Sequence, residues 1–169
     1  VSECYDPRAS GAKTLQINNS TSVKQVHQPA LSQWFRGTQI IRNGTLNISF
    51  DLLIPEKSGN PLSLIVRDYS SKPMTHILQL KCTAGGVSLH RKALAVSRNK
   101  WIHYSISLPL GKENSKIILT LVDAQKGIQK MEQNLSANKA QAVNWIGFCL
   151  TGKADTKLFL DNLVIKVDQ

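Results

Sequence analysis

Residues 46–54 read Leu-Asn-Ile-Ser-Phe-Asp-Leu-Leu-Ile. Side chains on a strand alternate sides, so Leu46, Ile48, Phe50, Leu52 and Ile54 point one way and Asn47, Ser49 and Asp51 the other. One apolar face and one wet face is the pattern of an antiparallel strand packed on a core from one side. Asn43-Gly44 just ahead of it is a hairpin signal, and Pro55 with Gly59-Asn60-Pro61 ends it. The pattern returns from Trp101 to Leu108, with Ile102, Tyr104, Ile106 and Leu108 inward and Trp101, His103, Ser105 and Ser107 outward.

Outward from these two runs, the chain is a series of short strand patterns separated by turn residues. Ala12 to Asn18 alternates, and Asn18 to Ser22 is a turn cluster. A short strand is expected from Val23 to His27, stopped by Pro29, with Leu31 to Phe35 as loop and another short strand at Thr38–Arg42. Leu62 to Tyr69 is nearly continuously apolar. Strict alternation from His76 places His76, Leu78, Leu80 and Cys82 on one face and Ile77, Gln79 and Lys81 on the other. Val87–Arg91, Lys116–Asp123, Trp145–Thr151 and Lys157–Val167 follow. Between Lys126 and Ala142 the composition favours helix by propensity, yet no long apolar face appears; a short strand over Ile128–Met131 is expected, with a helical turn as the alternative. Many short strands and no dependable helix predict an all-β fold, an antiparallel β-sandwich of jelly-roll type, in a single domain over residues 1–169. The Cys–Trp–Cys spacing of an immunoglobulin sandwich is absent.

The 169 residues carry a formal charge of +10, which biases partners toward anions such as an acidic polysaccharide. The alternative is that scattered lysines simply keep a sandwich soluble and its edges unpaired. A nucleic-acid reader would show a basic helix or regularly interleaved aromatics, and neither is present. No run approaches the roughly 20 apolar residues of a membrane span. The chain begins at Val1 without Met or leader, leaving a processed leader or an excised domain as alternatives. The three cysteines, Cys4, Cys82 and Cys149, have no zinc-type spacing. Cys82 and Cys149 read as buried thiols, and a pairing of Cys4 with either stays open.

The closing run, Leu158-Phe-Leu-Asp-Asn-Leu-Val-Ile-Lys-Val167, is apolar except for Asp161-Asn162 and Lys166. With period two, Phe159, Asp161, Leu163 and Ile165 share a face; an ionised aspartate there must be paired or bound to a cation. A bulge at Asp161-Asn162 is the other way to accommodate it. The run resembles the last strand of jelly-roll carbohydrate-binding modules and related lectin-like sandwiches, which read aromatic-x-Asp-Asn-apolar. Gly11-Ala12-Lys13-Thr14-Leu15 is similar to the Gly-x-x-Ser-Leu segment of the same modules, although Tyr5-Asp6 stands where they have an aromatic-Glu pair. The resemblance covers only the two chain ends. It implies a structural calcium held by Asp161 with Glu3 or Asp6, hard oxygen ligands that suit the ion. The alternative is that Asp161 accepts hydrogen bonds from loop amides or pairs with a lysine.

The resemblance also implies a non-catalytic carbohydrate-binding domain of an exported protein, secreted or at the cell surface. Sugars stack on aromatic rings and offer polar edges to basic and amide side chains. The ligand-binding candidates are accordingly Trp34, Arg36, Arg67, Tyr69, Gln79, Lys81 and His103, with Arg67, Gln79 and Lys81 on the mid-chain strands where such modules form their concave sheet. Trp101 and Trp145 each open a strand and are expected to pack over the sandwich edge. An enzyme on the same scaffold is the runner-up. A polysaccharide lyase needs a His or Tyr base and an Arg or Gln to neutralise a carboxylate, roles open to His103 or His90, Tyr69 or Tyr104, Arg67 and Gln79. A glycoside hydrolase needs paired carboxylates, and among 11 acidic residues no pair stands out. A structural or adhesion domain without a sugar site is the third reading. Sequons at Asn18, Asn19, Asn43, Asn47 and Asn134 would mark glycosylation in a secreted eukaryotic protein.

Overall fold

The strand containing residues 46–54 begins at Gly44, and the alternation is realised: Leu46, Ile48, Phe50 and Leu52 are at most 1% exposed, while Asn47, Ser49 and Asp51 stay partly open. The computed structural model describes residues 2–4, 14–19, 27–58, 61–112, 115–135, 142–151 and 155–169. Its strands are β1 (Ser2–Cys4), β2 (Thr14–Asn19), β3 (His27–Trp34), β4 (Gly44–Leu53), β5 (Leu62–Asp68), β6 (Thr75–Thr83), β7 (Gly86–Leu89), β8 (Lys92–Ala95), β9 (Ile102–Leu110), β10 (Lys116–Asp123), β11 (Gly127–Asn134), β12 (Trp145–Thr151) and β13 (Thr156–Asp168). They form two antiparallel sheets, β1-β2-β13-β4-β9-β10-β11 and β3-β12-β5-β6-β7-β8. Consecutive strands pair in β1-β2, β9-β10-β11 and β5-β6-β7-β8, whereas β2-β13, β13-β4, β4-β9, β3-β12 and β12-β5 join distant parts of the sequence, the crossovers of a jelly-roll sandwich.

The two inner faces meet in one apolar core. Phe50 stacks on its cross-strand neighbour Tyr104 (5.0 Å between ring centroids) and meets Phe148 of the other sheet edge-on at 5.2 Å. Tyr104 and Cys82 form a hydrogen bond inside this core; burial pushes the Cys82 thiol up to about 12 and the Tyr104 phenol well above its ordinary range. Burial alone would also raise Asp123, at the end of β10. Donation from Ser97 N and Oγ (2.7 and 2.8 Å) and from the Gln125 and Lys126 amides outweighs it and holds the carboxyl below its usual value.

Three local expectations are corrected. Residues 31–34, expected as loop, belong to strand β3; Pro29 is accommodated because β3 is a sheet edge and pairs only with β12. Thr38–Arg42 is not a strand but a 3-10 turn at Gly37–Gln39 followed by a single bridge from Ile41 to Val143. A bulge at Ile77 breaks the alternation of β6, so Ile77 and Leu78 are both buried while His76 turns outward to pair with Arg67. The bulge at Asp161–Asn162, one of the two alternatives the sequence offered, is present, and Asn162 there takes a left-handed φ of 50° that asparagine tolerates better than most residues. It separates Asp161, on the outer face, from Leu163 and Ile165, which pack on the core. From 127 to 134 the chain is strand, not helix. The expected strand at residues 23–26 lies outside the described residues.

Candidate functional site

Register assigns the outer face of the six-stranded sheet. Paired residues on antiparallel neighbours share a face. One row across β3, β12, β5 and β6 is Trp34, Trp145, Arg67 and His76. The next is Ser32, Gly147, Ile65 and Gln79, and Cys149, Ser63 and Lys81 follow. Tyr69 lies just past β5, its ring centroid 4.9 Å from that of Trp34. Five sequence candidates, Trp34, Arg67, Tyr69, Gln79 and Lys81, therefore share one surface.

The corner of that surface is built from aromatic rings. Trp145 meets Trp34 at 6.4 Å and Tyr69 at 6.3 Å, both edge to face. Its indole lies over Gly147, where a Cβ would collide with the ring, so only glycine leaves room for it. Trp145 is thus the 4%-exposed floor of the site and not a cap on the sandwich edge, whereas Trp34 (43%) and Tyr69 (38%) stand half open above it. The Arg67 guanidinium lies 4.8 Å from the Trp145 ring and donates from Nη1 to Tyr69 Oη at 2.7 Å. Its Nε is shielded from water and has no hydrogen-bond partner. The depression between these side chains has a volume of about 240 Å³ and is lined also by Ser32, Ile65 and Cys149. Burial raises the Cys149 thiol against the opposing pull of Arg67; burial and Arg67 together lower His76.

Two buried polar residues hold this corner in place. Asn144 accepts from the Tyr69 amide at Oδ1 (2.9 Å), donates its own amide to Arg67 O (3.2 Å) and accepts from the Phe35 amide (2.9 Å). It thereby ties together the segments that carry Trp34, Arg67, Tyr69 and Trp145. Asp68, fully buried, accepts from the amides of Ser70, Ser71 and Ala142 and from the Ser70 hydroxyl, which shapes the chain after Tyr69. Sequence reasoning missed Asn144, Asp68 and His76. The spacing Trp145-x-Gly147 was the legible sign of a ring laid on bare backbone.

The other candidates lie elsewhere. Arg36 is exposed in the loop after β3, outside the depression. His103 is on the outer face of the seven-stranded sheet, where its Nδ1 is 2.7 Å from Asp51 Oδ1. Asp51 also accepts from Asn162 Nδ2 and stands opposite Asp161. This carboxylate pair escaped notice in the sequence because the partners are far apart along the chain. The expected lyase set is assembled only in part: Tyr69, Arg67 and Gln79 share one face, but His103 is on the opposite sheet, Tyr104 is in the core, and His90 is in the β7–β8 turn. Asp161 Oδ1 accepts from the Asn162 amide, and Oδ2 is shielded without a hydrogen-bond partner. Glu3 pairs in register with Leu15; its side chain and Asp6 lie outside the described residues. Among the described residues no group of His, Cys, Asp and Glu is placed to hold a metal. Cys82 and Cys149 are free thiols.

No family model matches the sequence, and no curated protein does. Among solved structures, the chain is similar to the catalytic domain of the glycoside hydrolase family 131 protein from Coprinopsis cinerea, with TM-score 0.61 and 11% identity over 98% of this chain and 77% of that one. It is also similar to the seed lectin of Lotus tetragonolobus, with TM-score 0.55 and 8% identity over 91% and 94%. The fold is a lectin-like jelly-roll sandwich. A carbohydrate esterase from the Shiga toxin-encoding bacteriophage phi24B shares it at TM-score 0.57 and 9% identity, over 99% and 87% of the two chains. At these identities the likeness shows the fold alone.

Proposed function

We propose that this domain binds carbohydrate without turning it over, at the corner formed by Trp34, Tyr69 and Arg67, as part of a secreted or cell-surface protein. The observation that carries the reading is the pair of half-open rings beside a guanidinium fixed in place by Tyr69 and Trp145. The C–H face of a sugar stacks on such rings, and its polar edge meets preplaced donors. The lectins and glycoside hydrolase domains that share the fold support the reading. Affinity electrophoresis on a panel of polysaccharides tests it. Trp34→Ala and Tyr69→Ala are expected to abolish retardation while leaving the melting temperature close to wild type. Unchanged retardation of both variants would sink the proposal, as would retardation by every polyanion that modest salt removes.

One observation favours a second reading. The Ile77 bulge brings His76 beside Arg67, with Tyr69 and Gln79 on the same face, which is the donor set of an eliminating lyase. A base would take the C5 proton of a uronate as the C4–C5 double bond forms and the C4–O bond breaks, the leaving oxygen regaining a proton. Ultraviolet absorbance from an unsaturated product on incubation with acidic polysaccharide separates this enzyme from a binder. A hydrolase is less well supported, since both Asp51 oxygens already accept hydrogen bonds from His103 and Asn162.

Structural calcium at Asp161, with Glu3 or Asp6 as partners, is also proposed. Support comes from the shielded, unbonded Asp161 Oδ2, a hard ligand without a donor. Calcium binding the folded state raises the melting temperature. A melting temperature indifferent to both chelator and added calcium would rule the ion out.

A further inference from the structure

Among the described strand residues, the six-stranded sheet carries one carboxylate, Asp68, and it is buried facing the interior. The outer face of that sheet therefore presents Arg67, His76, Gln79 and Lys81 with no acid among them. Arg67 has no ion-pair partner among the described residues; its guanidinium lies against Trp145, and its one hydrogen bond goes to a neutral phenol. A guanidinium has more N–H donors than that bond uses, and their fork matches carboxylate and sulfate oxygens. A partly desolvated cation without a counter-ion gains most from an anion brought by a ligand.

We propose that the glycan read at this site is anionic. Its carboxylate or sulfate group is taken by the Arg67 guanidinium while the sugar ring lies on Trp34 and Tyr69, and Lys81 extends the positive track along the sheet. The inference rests on the carbohydrate reading above and specifies its substrate class. His76, the register partner of Arg67, lies on the same track.

Calorimetric titration at physiological ionic strength tests it with oligogalacturonate, a sulfated galactan oligosaccharide, a neutral cello-oligosaccharide and inorganic polyphosphate. The expected result is that one of the two acidic sugars binds at least about tenfold tighter than the neutral one, with the tighter of the pair identifying carboxylate or sulfate. Arg67→Gln should remove about tenfold or more of that affinity, the size of a lost charge-assisted hydrogen bond. Lys81→Gln, at an exposed position that cannot disturb the corner, should remove a smaller part and keeps the test valid if the Arg67 variant folds poorly. Neutral sugar binding as tightly as the acidic ones, sensitive to Trp34→Ala but not to Lys81→Gln, would overturn the anionic assignment and leave the carbohydrate reading standing. Polyphosphate binding as tightly as the acidic sugars, insensitive to Trp34→Ala, would overturn both, as would binding of no sugar at all.

Discussion

The outer faces of the two sheets use charge in opposite ways. On the seven-stranded sheet the acids have partners beside them: Asp51 faces His103, Glu132 lies between Lys116 (3.1 Å) and Lys130 (3.2 Å), and Asp168 meets Asn47 and Lys166. Among the described residues, the outer face of the six-stranded sheet has its cations without acids, and its exposed aromatics gather at one end of it. Exposed pairs of the first kind contribute little to stability, because solvent screens them, but they leave a surface with no preference for a charged partner. The second arrangement leaves binding capacity unspent.

The comparison holds only if the faces differ through what lies on them and not through what lies beneath. Phe50 tests this, because its ring touches Tyr104 of its own sheet and Phe148 of the other. Phe50→Ala should cost about 3–5 kcal/mol in chemical denaturation and loosen amide exchange on both faces alike. Exchange changing on one face alone would show that the sheets are not supported by a common core. Gly147→Ala is the next largest effect and should act on one face. The new methyl group must displace the Trp145 indole, an overpacking cost of about 1–3 kcal/mol, and Trp34 and Tyr69 lose the ring they rest on. Near-ultraviolet circular dichroism should change while His103 resonances stay put. A variant with wild-type stability and spectrum would contradict the role given to that glycine.

Most of this architecture was legible in the residues. Strict alternation at Leu46–Leu52 and Ile102–Leu108 made the core face readable, and turn chemistry set off most of the strands. What escaped was the bulge at Ile77, which reverses His76 and carries no glycine or proline that would announce it. The bulge at Asp161–Asn162 was legible as the alternative to a paired aspartate, because an ionised side chain does not fit an apolar face. The site was half legible for a related reason. Trp34, Arg67, Tyr69, Gln79 and Lys81 stand out as chemistry-bearing side chains, but their convergence depends on β12 pairing with β3 and β5, a contact between distant parts of the chain. Pro29 misled in the other direction, since an edge strand tolerates what a central one does not.

Asn144 tests whether the aromatic corner is preplaced or assembles on a ligand. Its Oδ1 is the acceptor for the Tyr69 amide, so Asn144→Ala leaves that donor without a partner and should cost about 1–3 kcal/mol. Affinity for the cognate glycan should fall through faster dissociation, with Tyr69 no longer held beside Arg67. Asn144→Asp retains an acceptor at the same position and should recover most of the loss. Equal losses in both variants would mean that the residue fills space and does not orient Tyr69.

The smallest effect is the most specific to the six-stranded face. Burial, then the neighbouring Arg67, lowers the pKa of His76, so the folded protein takes up this proton less readily than the unfolded chain. Stability from this group is therefore complete above the ordinary histidine value of about 6.5 and is progressively lost as pH falls toward the lower folded value. Solvent exposure keeps the amplitude small, so the resonance is a better reporter than the melting curve. The His76 ring should titrate below the free value by nuclear magnetic resonance, and Arg67→Gln should move it upward by removing the neighbouring charge. An acidic sugar bound at Arg67 should move it upward as well, whereas a neutral sugar brings no charge to do so. A His76 titration that ignores an acidic ligand shown to bind would mean that the anion lies elsewhere, and the contrast between the faces would no longer explain the selectivity.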